Sequence, residues 1–225
     1  MYQWDFAPVA ANWPLLAQGL LNTLKVTGVA LVVGLALGLL FALMRLSRHR
    51  GLSWPAGFVI EVFRTTPPLV QLFWFFFALP LIAGIAMTPY IAACVTFSIQ
   101  SAAFFAEVFR GGIQSIERGQ WEAARAIGMT EAQAMKRIVL PQAVKRMIPA
   151  FMERAIELMK TTTLVATISY ADLLFAANEI SQKTFRPLET FTVAALMYFV
   201  VITAFSLLAR RFERRLAISG EATVH

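Results

Sequence analysis

Apolar stretches without a single charged residue divide the chain. Residues 26–44 form the first such stretch, and residues 190–209 form the last. At about 1.5 Å of helix rise per residue, ~20 apolar residues cross the ~30 Å hydrocarbon core of a bilayer. Both stretches are therefore predicted to be transmembrane helices.

A longer uncharged stretch, residues 65–106, lies between them and is interrupted by Pro80, Gly84 and Pro89. It is long enough for two crossings, and the proline and glycine residues favour a turn between the two. The pattern therefore predicts a helical hairpin.

The sequence EVFR occurs at both ends of this hairpin, at residues 61–64 and 107–110. Because Glu and Arg three positions apart are neighbours on a helix, each copy predicts an ion pair near the lipid headgroups. After the first copy, Thr65, Thr66 and Gln71 place polar groups just inside the predicted membrane. A broken helix is tolerated there only against protein or water.

Lys and Arg residues in short loops favour the cytoplasmic side of a membrane. They form three groups here: Arg45, Arg48 and Arg50; Arg110, Arg118, Arg125, Lys136, Arg137, Lys145 and Arg146; and Arg210, Arg211, Arg214 and Arg215. Residues 1–24 and 79–90 contain neither, which places the N-terminus and the hairpin tip outside and the C-terminus inside. This arrangement needs an odd number of crossings, so a fifth span is expected.

The fifth span must lie in residues 147–175, where charges interrupt an apolar region. Glu153, Glu157 and Lys160 share a narrow arc of one helix face, with Thr161 at its edge. Because charges facing lipid are costly, this arc should meet protein or water. It indicates either a Glu157–Lys160 ion pair that fixes helix packing or the polar lining of a solute pathway.

The predicted fold is an all-α integral membrane protein with five transmembrane helices in a single domain, residues 1–225. The approximate spans are 20–44, 58–80, 86–109, 147–175 and 190–210. A cytoplasmic loop, residues 111–146, joins the third span to the fourth, and we refer to it as the connecting loop.

Composition supports a membrane protein, since 58% of the residues are hydrophobic, 15% are charged and the mean hydropathy is +0.65. The net charge of +7 comes from residues at predicted membrane boundaries, which favours contact with anionic lipid over nucleic acid. Cys94 is the one cysteine, and His49 and His225 show no metal-ligand spacing. Neither a disulfide framework nor a metal site is therefore predicted.

The connecting loop has the sequence pattern of a folded element. Residues 121–127 read as a short helix that Gly128 ends, and Thr130 with Gln133 forms a capping box that starts a second helix. Pro141 is predicted to end this second helix. Two short helices at a fixed angle would form a rigid knob able to transmit force.

The sequence EAARAIGMTEAQAMKRIVLP at residues 122–141 resembles the EAA loop of bacterial ABC importer permeases. The segments RGGIQSIERGQW, EVFRTTPPLVQLFWFFFALP and LMKTTTLVATISYADLL resemble the polar amino acid branch, which includes glutamate/aspartate, glutamine, histidine and arginine importer permeases. Many relatives carry an acidic residue after the lysine of the last segment, whereas Thr161 follows Lys160 here. The resemblance therefore does not determine the preferred charge of the substrate.

The resemblance implies a noncatalytic transmembrane subunit that couples to a separate ATPase. The expected coupling residues are Glu122, Ala123, Ala124, Arg125, Gly128, Leu140 and Pro141. The chain contains no G-x-x-x-x-G-K-[ST] phosphate loop, so we expect it to bind no cofactor and the partner to use ATP–Mg.

The resemblance also implies the partners and the location. The partners are an ABC ATPase dimer, a second permease that is identical or homologous, an external solute-binding protein, and membrane lipid. The binding protein would contact the hairpin tip and residues 178–187. The expected location is the bacterial inner membrane, with several crossings.

Polar residues inside the predicted spans are the candidates for solute contact. They are Thr65, Thr66 and Gln71 in span two, Gln100 and Ser101 in span three, and Glu157, Thr161 and Thr163 in span four. A zwitterionic amino acid needs acceptors for its ammonium group and donors for its carboxylate, and this set supplies both. Alternatively, such side chains bond across helices or to their own backbone.

Other functions are compatible with parts of the pattern. The same architecture could import another small solute, such as an opine or a compatible solute. A membrane enzyme could use Glu153, Glu157 or Asp172 as acid and base, but no nucleophile–base pair or metal cluster accompanies them. A passive channel would not need a rigid knob in the connecting loop.

Overall fold

The structure, a computed structural model, describes residues 2–217, with side chains described up to Arg211. Within these residues the chain forms helices and loops but no strand. The helices are α1 (Ala7–Ala11), α2 (Trp13–Leu46), α3 (Arg50–Thr65), α4 (Pro68–Phe73), α5 (Leu79–Ala83), α6 (Pro89–Gln114), α7 (Arg118–Ala126), α8 (Glu131–Ala134), α9 (Leu140–Thr161), α10 (Leu173–Thr184) and α11 (Pro187–Ala217). The side chains of Arg214 and Arg215, and the whole of His225, lie outside the described residues.

Short segments of altered helical geometry join some of these helices. A π-helical turn, Trp74–Ala78, connects α4 to α5, and a second, Met135–Val139, connects α8 to α9. The 3₁₀ segment Thr162–Ile168 continues α9. The all-helical prediction is confirmed for the described part of the chain.

Three helices of the described chain are long and apolar enough to cross a membrane: α2, α6 and the Pro187–Arg211 part of α11. The first and third contain residues 20–44 and 190–210 of the predicted spans, and α6 covers residues 89–109 of the predicted span 86–109. The helix α3 and the segment Pro68–Ala83 meet this criterion only together, and they are bent by 108° at the break between them.

The predicted span 58–80 is therefore two helical pieces and not one straight helix. The break lies at Thr66 and Pro67, between α3 and α4. Thr66 has an extended backbone, with φ −78° and ψ 134°, as expected for a residue that precedes proline. Pro67 also lacks the N–H that would continue the α-helical ladder.

The predicted end of a helix at Pro141 is wrong. Pro141 lies in the first turn of α9, where a missing N–H costs little. The π-helical turn carries the chain from α8 into α9, and the Leu140 N–H donates to the Met135 carbonyl at its end. The second helix of the connecting loop thus continues directly into α9.

The predicted span 147–175 is also differently divided. The helix α9 begins before it, at Leu140, and ends at Thr161. The 3₁₀ segment follows and ends at Ser169, whose φ of 59° is left-handed. Residues 173–175 already belong to α10.

The most extensive contact between two helices is that of α2 with α6. On α2 it involves Gly34 and Gly38, both buried. A Cβ atom at Gly34 would lie 2.6 Å from the Ser101 Cβ, and one at Gly38 would lie 2.7 Å from the Phe105 Cβ. Small residues allow helix backbones to approach closely inside a membrane, where dispersion contacts replace the hydrophobic effect.

A buried apolar cluster lies where α2, α4, α6 and α9 meet. It includes Val26, Leu72, Phe97, Leu158 and Val165. One hydroxyl contact reinforces the same region: the hydroxyl oxygens of Thr27 and Thr162 lie 3.0 Å apart. The cluster holds α4, α6 and α9 around the cavity described below.

Replacing Gly38 tests the contact between α2 and α6. We expect Gly38→Ala to lower the unfolding temperature of the purified protein in detergent, because overpacking a tight contact costs about 1–3 kcal/mol. Gly28→Ala is the matched control, since a Cβ atom at Gly28 meets nothing within 4 Å. It should leave the unfolding temperature unchanged or raise it, because Ala favours helix over Gly. Equal unfolding temperatures for the two variants would contradict the close approach.

Candidate functional site

A cavity of about 180 Å³ lies among α3, α4, α6 and α9. Its lining consists of Arg64, Thr66, Pro68, Gln100, Ser101, Phe104, Phe105, Arg154, Glu157, Leu158 and Thr161. Its size suits one small solute, because pockets for drug-sized molecules are larger, at roughly 300–1,000 Å³. The cavity brings together five of the eight residues predicted for solute contact: Thr66, Gln100, Ser101, Glu157 and Thr161.

An ion pair on α9 lies in this lining. The Arg154 Nη1 donates to the Glu157 Oε2 at 2.5 Å. The predicted pairing of Glu157 with Lys160 is therefore wrong. Lys160 lines a separate groove against α11, together with Phe199 and Arg210.

The two EVFR motifs form their predicted ion pairs. Glu107 and Arg110 lie 2.6 Å apart, and Glu61 and Arg64 lie 3.6 Å apart. Arg64 also reaches into the cavity lining, where its guanidinium carbon lies 5.9 Å from the centroid of the Phe104 ring.

Arg154 stacks on the same ring. Its guanidinium carbon lies 4.4 Å from the Phe104 centroid, within the range of a cation–π contact. A single aromatic ring of α6 thus contacts two arginines, one from α3 and one from α9. Both contacts leave N–H groups at the edges of the guanidinium planes for other acceptors.

Gln100 and Ser101 are the most enclosed polar side chains of the lining, each with 6% of the residue exposed. Neither side chain has a hydrogen-bond partner among the described residues. Buried polar groups are nearly always hydrogen-bonded. The amide of Gln100 and the hydroxyl of Ser101 are therefore available to a bound solute or to water.

The two threonines of the lining already donate to their own helices. The Thr66 hydroxyl donates to the Val62 carbonyl at 2.8 Å, and the Thr161 hydroxyl donates to the Glu157 carbonyl at 2.9 Å. Each hydroxyl oxygen still has lone pairs that can accept from a solute. They can therefore contribute acceptors to the site but not donors.

Three predicted contact residues lie outside the cavity lining. The Thr65 hydroxyl donates to the Glu61 carbonyl and the Thr163 hydroxyl to the Lys160 carbonyl, each at 2.8 Å. Gln71 instead secures the break between α3 and α4. Its Nε2 donates to the Phe63 carbonyl at 3.0 Å and to the Thr66 carbonyl at 2.9 Å.

The Gln71 contacts have a clear structural purpose. The last carbonyls of a helix have no partner within the helix, and the break leaves two of them free. Gln71 is 5% exposed and satisfies both. Its own Oε1 is buried without a hydrogen-bond partner in the described part of the chain.

Sequence reasoning missed Arg64, Arg154 and Phe104 as lining residues. The sequence contains a signal for both arginines, because each is a charged residue at or inside a predicted span: Arg64 is the last residue of the first EVFR copy, and Arg154 interrupts an apolar stretch. Nothing in the sequence alone indicated that one phenylalanine of α6 would contact both.

The connecting loop is the second candidate site. Its helix α7 spans Arg118–Ala126, and Gly128 follows it with a left-handed φ of 76°. The predicted capping box is confirmed: the Gln133 N–H donates to the Thr130 Oγ1 at 3.3 Å, and the Thr130 N–H donates to the Gln133 Oε1 at 2.9 Å. These bonds fix the start of α8, and the Met129 N–H, which donates to the Ala124 carbonyl at 3.0 Å, connects it to α7.

The predicted coupling residues divide by exposure. Glu122, Ala123, Arg125, Gly128, Leu140 and Pro141 are exposed, whereas Ala124 is completely buried. Ala124 thus lies against its own chain, and its small side chain allows α7 to pack closely there. The exposed members form the surface that a partner could contact.

Ion pairs link the connecting loop to the start of α3. Glu131 lies 3.2 Å from Arg48 and 3.8 Å from Arg125. All three side chains are largely exposed, so each pair contributes little stability. Their geometry nevertheless places α7, α8 and the α2–α3 connection next to one another.

The sequence and structure of the chain match known transport proteins. Residues 34–218 match the family described as "Binding-protein-dependent transport system inner membrane component". The chain is 38% identical over 224 residues to the glutamate/aspartate import permease protein GltK of Escherichia coli O6:H1, covering 96% of this chain and all of GltK. It is 35% identical over 212 residues to the arginine transport system permease protein ArtQ of Bacillus subtilis, covering 94% of this chain and 97% of ArtQ.

Solved structures agree. A structure described as "Crystal structure of an amino acid ABC transporter with histidines" matches with a TM-score of 0.91 and 38% identity, covering 95% of this chain and all of that one. An inward-facing structure of the MetNI methionine ABC transporter matches with a TM-score of 0.75 at 20% identity, covering 90% of this chain and 96% of that one. At that identity the second match shows a shared fold alone.

Replacing Gln71 distinguishes its structural role from a role in solute binding. We expect Gln71→Leu to lower the unfolding temperature of the detergent-solubilised protein, because buried carbonyls left without a donor cost about 1–3 kcal/mol each. Gln182→Leu is the control, since Gln182 is exposed and donates only to Asn178, at 3.4 Å. An unchanged unfolding temperature for Gln71→Leu would contradict the structural role.

Proposed function

Because the chain belongs to the family of binding-protein-dependent transport system inner membrane components, we propose that it passes a polar amino acid from an external binding protein into the cytoplasm, as the transmembrane subunit of an ATP-driven importer. The observation that carries this proposal is the similarity over nearly the full chain to amino acid permeases. The relatives carry names for glutamate/aspartate, glutamine and arginine transport. A polar amino acid is the description common to them.

The proposed topology has five crossings, with the N-terminus outside and the C-terminus inside. Three crossings are α2, α6 and α11. The bent pair of α3 with the Pro68–Ala83 segment would supply another, and α9 with its 3₁₀ continuation would supply the fifth. Arg154 and Glu157 of α9 then lie against the cavity, and Lys160 lies against the groove along α11, which keeps these three charges away from lipid.

The proposed coupling surface is the exposed side of α7. Glu122, Ala123 and Arg125 would contact a groove on the ATPase, while the buried Ala124 and the capping box keep α7 fixed relative to α8. ATP–Mg would be bound by the ATPase dimer and not by this chain. Closure of that dimer would move the permease halves as rigid bodies between outward-open and inward-open states.

A second permease, identical or homologous, would complete the pathway. The exposed apolar side chains of α11 support this proposal, among them Leu196, Phe199 and Val200, at 57%, 65% and 62% exposure. These side chains require either lipid or another transmembrane subunit. The predicted inner-membrane location supplies both.

The external binding protein would contact the hairpin tip and residues 178–187. Near these residues, the N-terminal segment is tied to the start of α11: the Tyr2 hydroxyl donates to Glu189 at 2.5 Å, and Arg186 donates to the Gln3 carbonyl at 3.0 Å. Phe185 is 86% exposed beside this contact. A braced surface with an exposed aromatic side chain suits protein contact.

The solute would occupy the cavity among α3, α4, α6 and α9. Glu157 would accept from its ammonium group, and the Arg154 guanidinium and Gln100 amide would donate to its carboxylate. Ser101 can do either, while Thr66 and Thr161 provide acceptors. A few convergent polar groups of this kind give orientation and specificity in small-molecule sites.

Cysteine labelling tests the topology. In a Cys94→Ala background, Phe185→Cys should react with a membrane-impermeant maleimide in intact cells, because residue 185 would lie outside. Ala123→Cys should react only after the cells are permeabilised. Labelling of Ala123→Cys in intact cells would overturn the proposed orientation of the connecting loop.

Uptake by proteoliposomes tests the coupling. Amino acid uptake by the complex with its ATPase and binding protein should require ATP, and Gly128→Val should reduce it by about tenfold or more, because a β-branched residue is strained at positive φ. Gly111→Val is the control. A Cβ atom at either glycine would meet nothing within 4 Å, but of the two residues only Gly128 has a positive φ. Uptake without ATP, or full uptake by Gly128→Val, would contradict the proposal.

A further inference from the structure

The charges that line the cavity do not balance. Arg64 and Arg154 contribute two positive charges to the lining, and Glu157 contributes one negative charge. A zwitterion without net charge leaves the excess positive charge in place. A solute with one additional carboxylate neutralises it and can form charge-assisted hydrogen bonds with the arginine that a zwitterion leaves unused.

Neighbouring carboxylates do not remove this excess. Glu61 pairs with Arg64, but at 3.6 Å, which is longer than a charge-assisted hydrogen bond, so N–H donors of Arg64 remain for another carboxylate. Glu107 is held by three hydrogen bonds from Arg110, the shortest 2.6 Å long. Neither glutamate lines the cavity.

The close pair of Arg154 and Glu157 matches the backbone part of an amino acid. The ammonium and carboxylate groups of an α-amino acid are attached to one carbon, so they require a cation and an anion placed side by side. The 2.5 Å pair on α9 offers this arrangement. Arg64 belongs to a different helix, α3, and approaches the ring of Phe104 separately.

We propose that the cavity selects acidic amino acids: Arg154 binds the α-carboxylate, Glu157 binds the ammonium group, and Arg64 binds the side-chain carboxylate. This assignment rests on the proposed function and names the substrate class of the same site. Arginine is suited to both roles because its planar fork of N–H donors binds carboxylates with two hydrogen bonds.

Other lining residues fit this assignment. The two guanidinium carbons lie 4.4 Å and 5.9 Å from the Phe104 centroid, and each guanidinium has more N–H donors than its ion pair uses, so donors remain for carboxylates. Gln100 and Ser101 supply further donors, since both are buried without a partner among the described residues. Thr161 adds no charge, so a basic amino acid would meet two cations and one carboxylate.

Equilibrium dialysis tests the selectivity of the membrane site itself. The purified permease–ATPase complex, without binding protein, is dialysed against radiolabelled L-glutamate, L-glutamine or L-arginine. We expect glutamate to bind about tenfold or more tightly than glutamine, because hydrogen bonds to a charged group contribute about 1.5–3 kcal/mol. Arginine should bind most weakly.

Substitutions separate the two arginines. Arg64→Gln should weaken glutamate binding about tenfold and change glutamine binding much less, so that the preference disappears. Arg154→Gln should weaken both amino acids. Arg50→Gln is the control for loss of one positive charge, because Arg50 is exposed and lies outside the cavity lining.

Several outcomes overturn the assignment. Equal or tighter binding of glutamine or arginine by the unsubstituted complex does so, as does a retained preference in Arg64→Gln. Should Arg64→Gln fail to fold, Arg64→Met keeps the unbranched stem but removes the charge, and a retained glutamate preference in that variant contradicts the proposal. ATP-driven uptake by proteoliposomes separates a failure of the acidic selectivity from a failure of the proposed function. Uptake of glutamine or arginine but not glutamate overturns the acidic selectivity alone. Absence of ATP-driven uptake of any amino acid overturns the proposed function.

Discussion

The close approach of α2 to α6 at Gly34 and Gly38 positions the rest of the molecule. A Cβ atom at either glycine would lie within 2.7 Å of a Cβ atom on α6, so no larger residue fits without separating the helices. This contact fixes the rotation of α6 about its axis. Phe105 is held against α2, and Gln100 and Phe104 of the same helix line the cavity.

The cavity also depends on the break between α3 and α4. The chain bends by 108° between α3 and α4, so Arg64 at the end of α3 and Pro68 at the start of α4 line the cavity at the corner between the two helices. The break costs backbone hydrogen bonds, and Gln71 restores two of them at the carbonyl end of α3. One amide side chain thus stabilises the geometry that allows a charged group to reach the cavity.

Much of this arrangement could be predicted from local sequence patterns. The uncharged stretches predict α2, α6 and α11, the EVFR repeats predict their ion pairs, and Thr130 with Gln133 predicts the capping box, because each signal lies within a few residues. The continuation of the helix through Pro141 could not be predicted, because it depends on a π-helical turn at Met135–Val139 that places Pro141 in the first turn of α9. Nor could the stacking of Arg64 and Arg154 on Phe104, because it joins three helices that are distant in sequence.

The continuity of α8 with α9 gives the proposed transport cycle a physical path. Residues Glu131–Thr161 form one helical rod from the connecting loop to the cavity, and at about 1.5 Å per residue the distance from Glu131 to Glu157 is roughly 39 Å. Pro149 removes one backbone hydrogen bond between the two ends, so the rod can bend at a defined place. A displacement of α7 would be transmitted to α8 through the Arg125–Glu131 ion pair. It would therefore move Arg154 and Glu157 relative to Arg64 and α6. Since the solute is proposed to bridge these groups, the same displacement that opens the pathway also separates the charges that hold the solute.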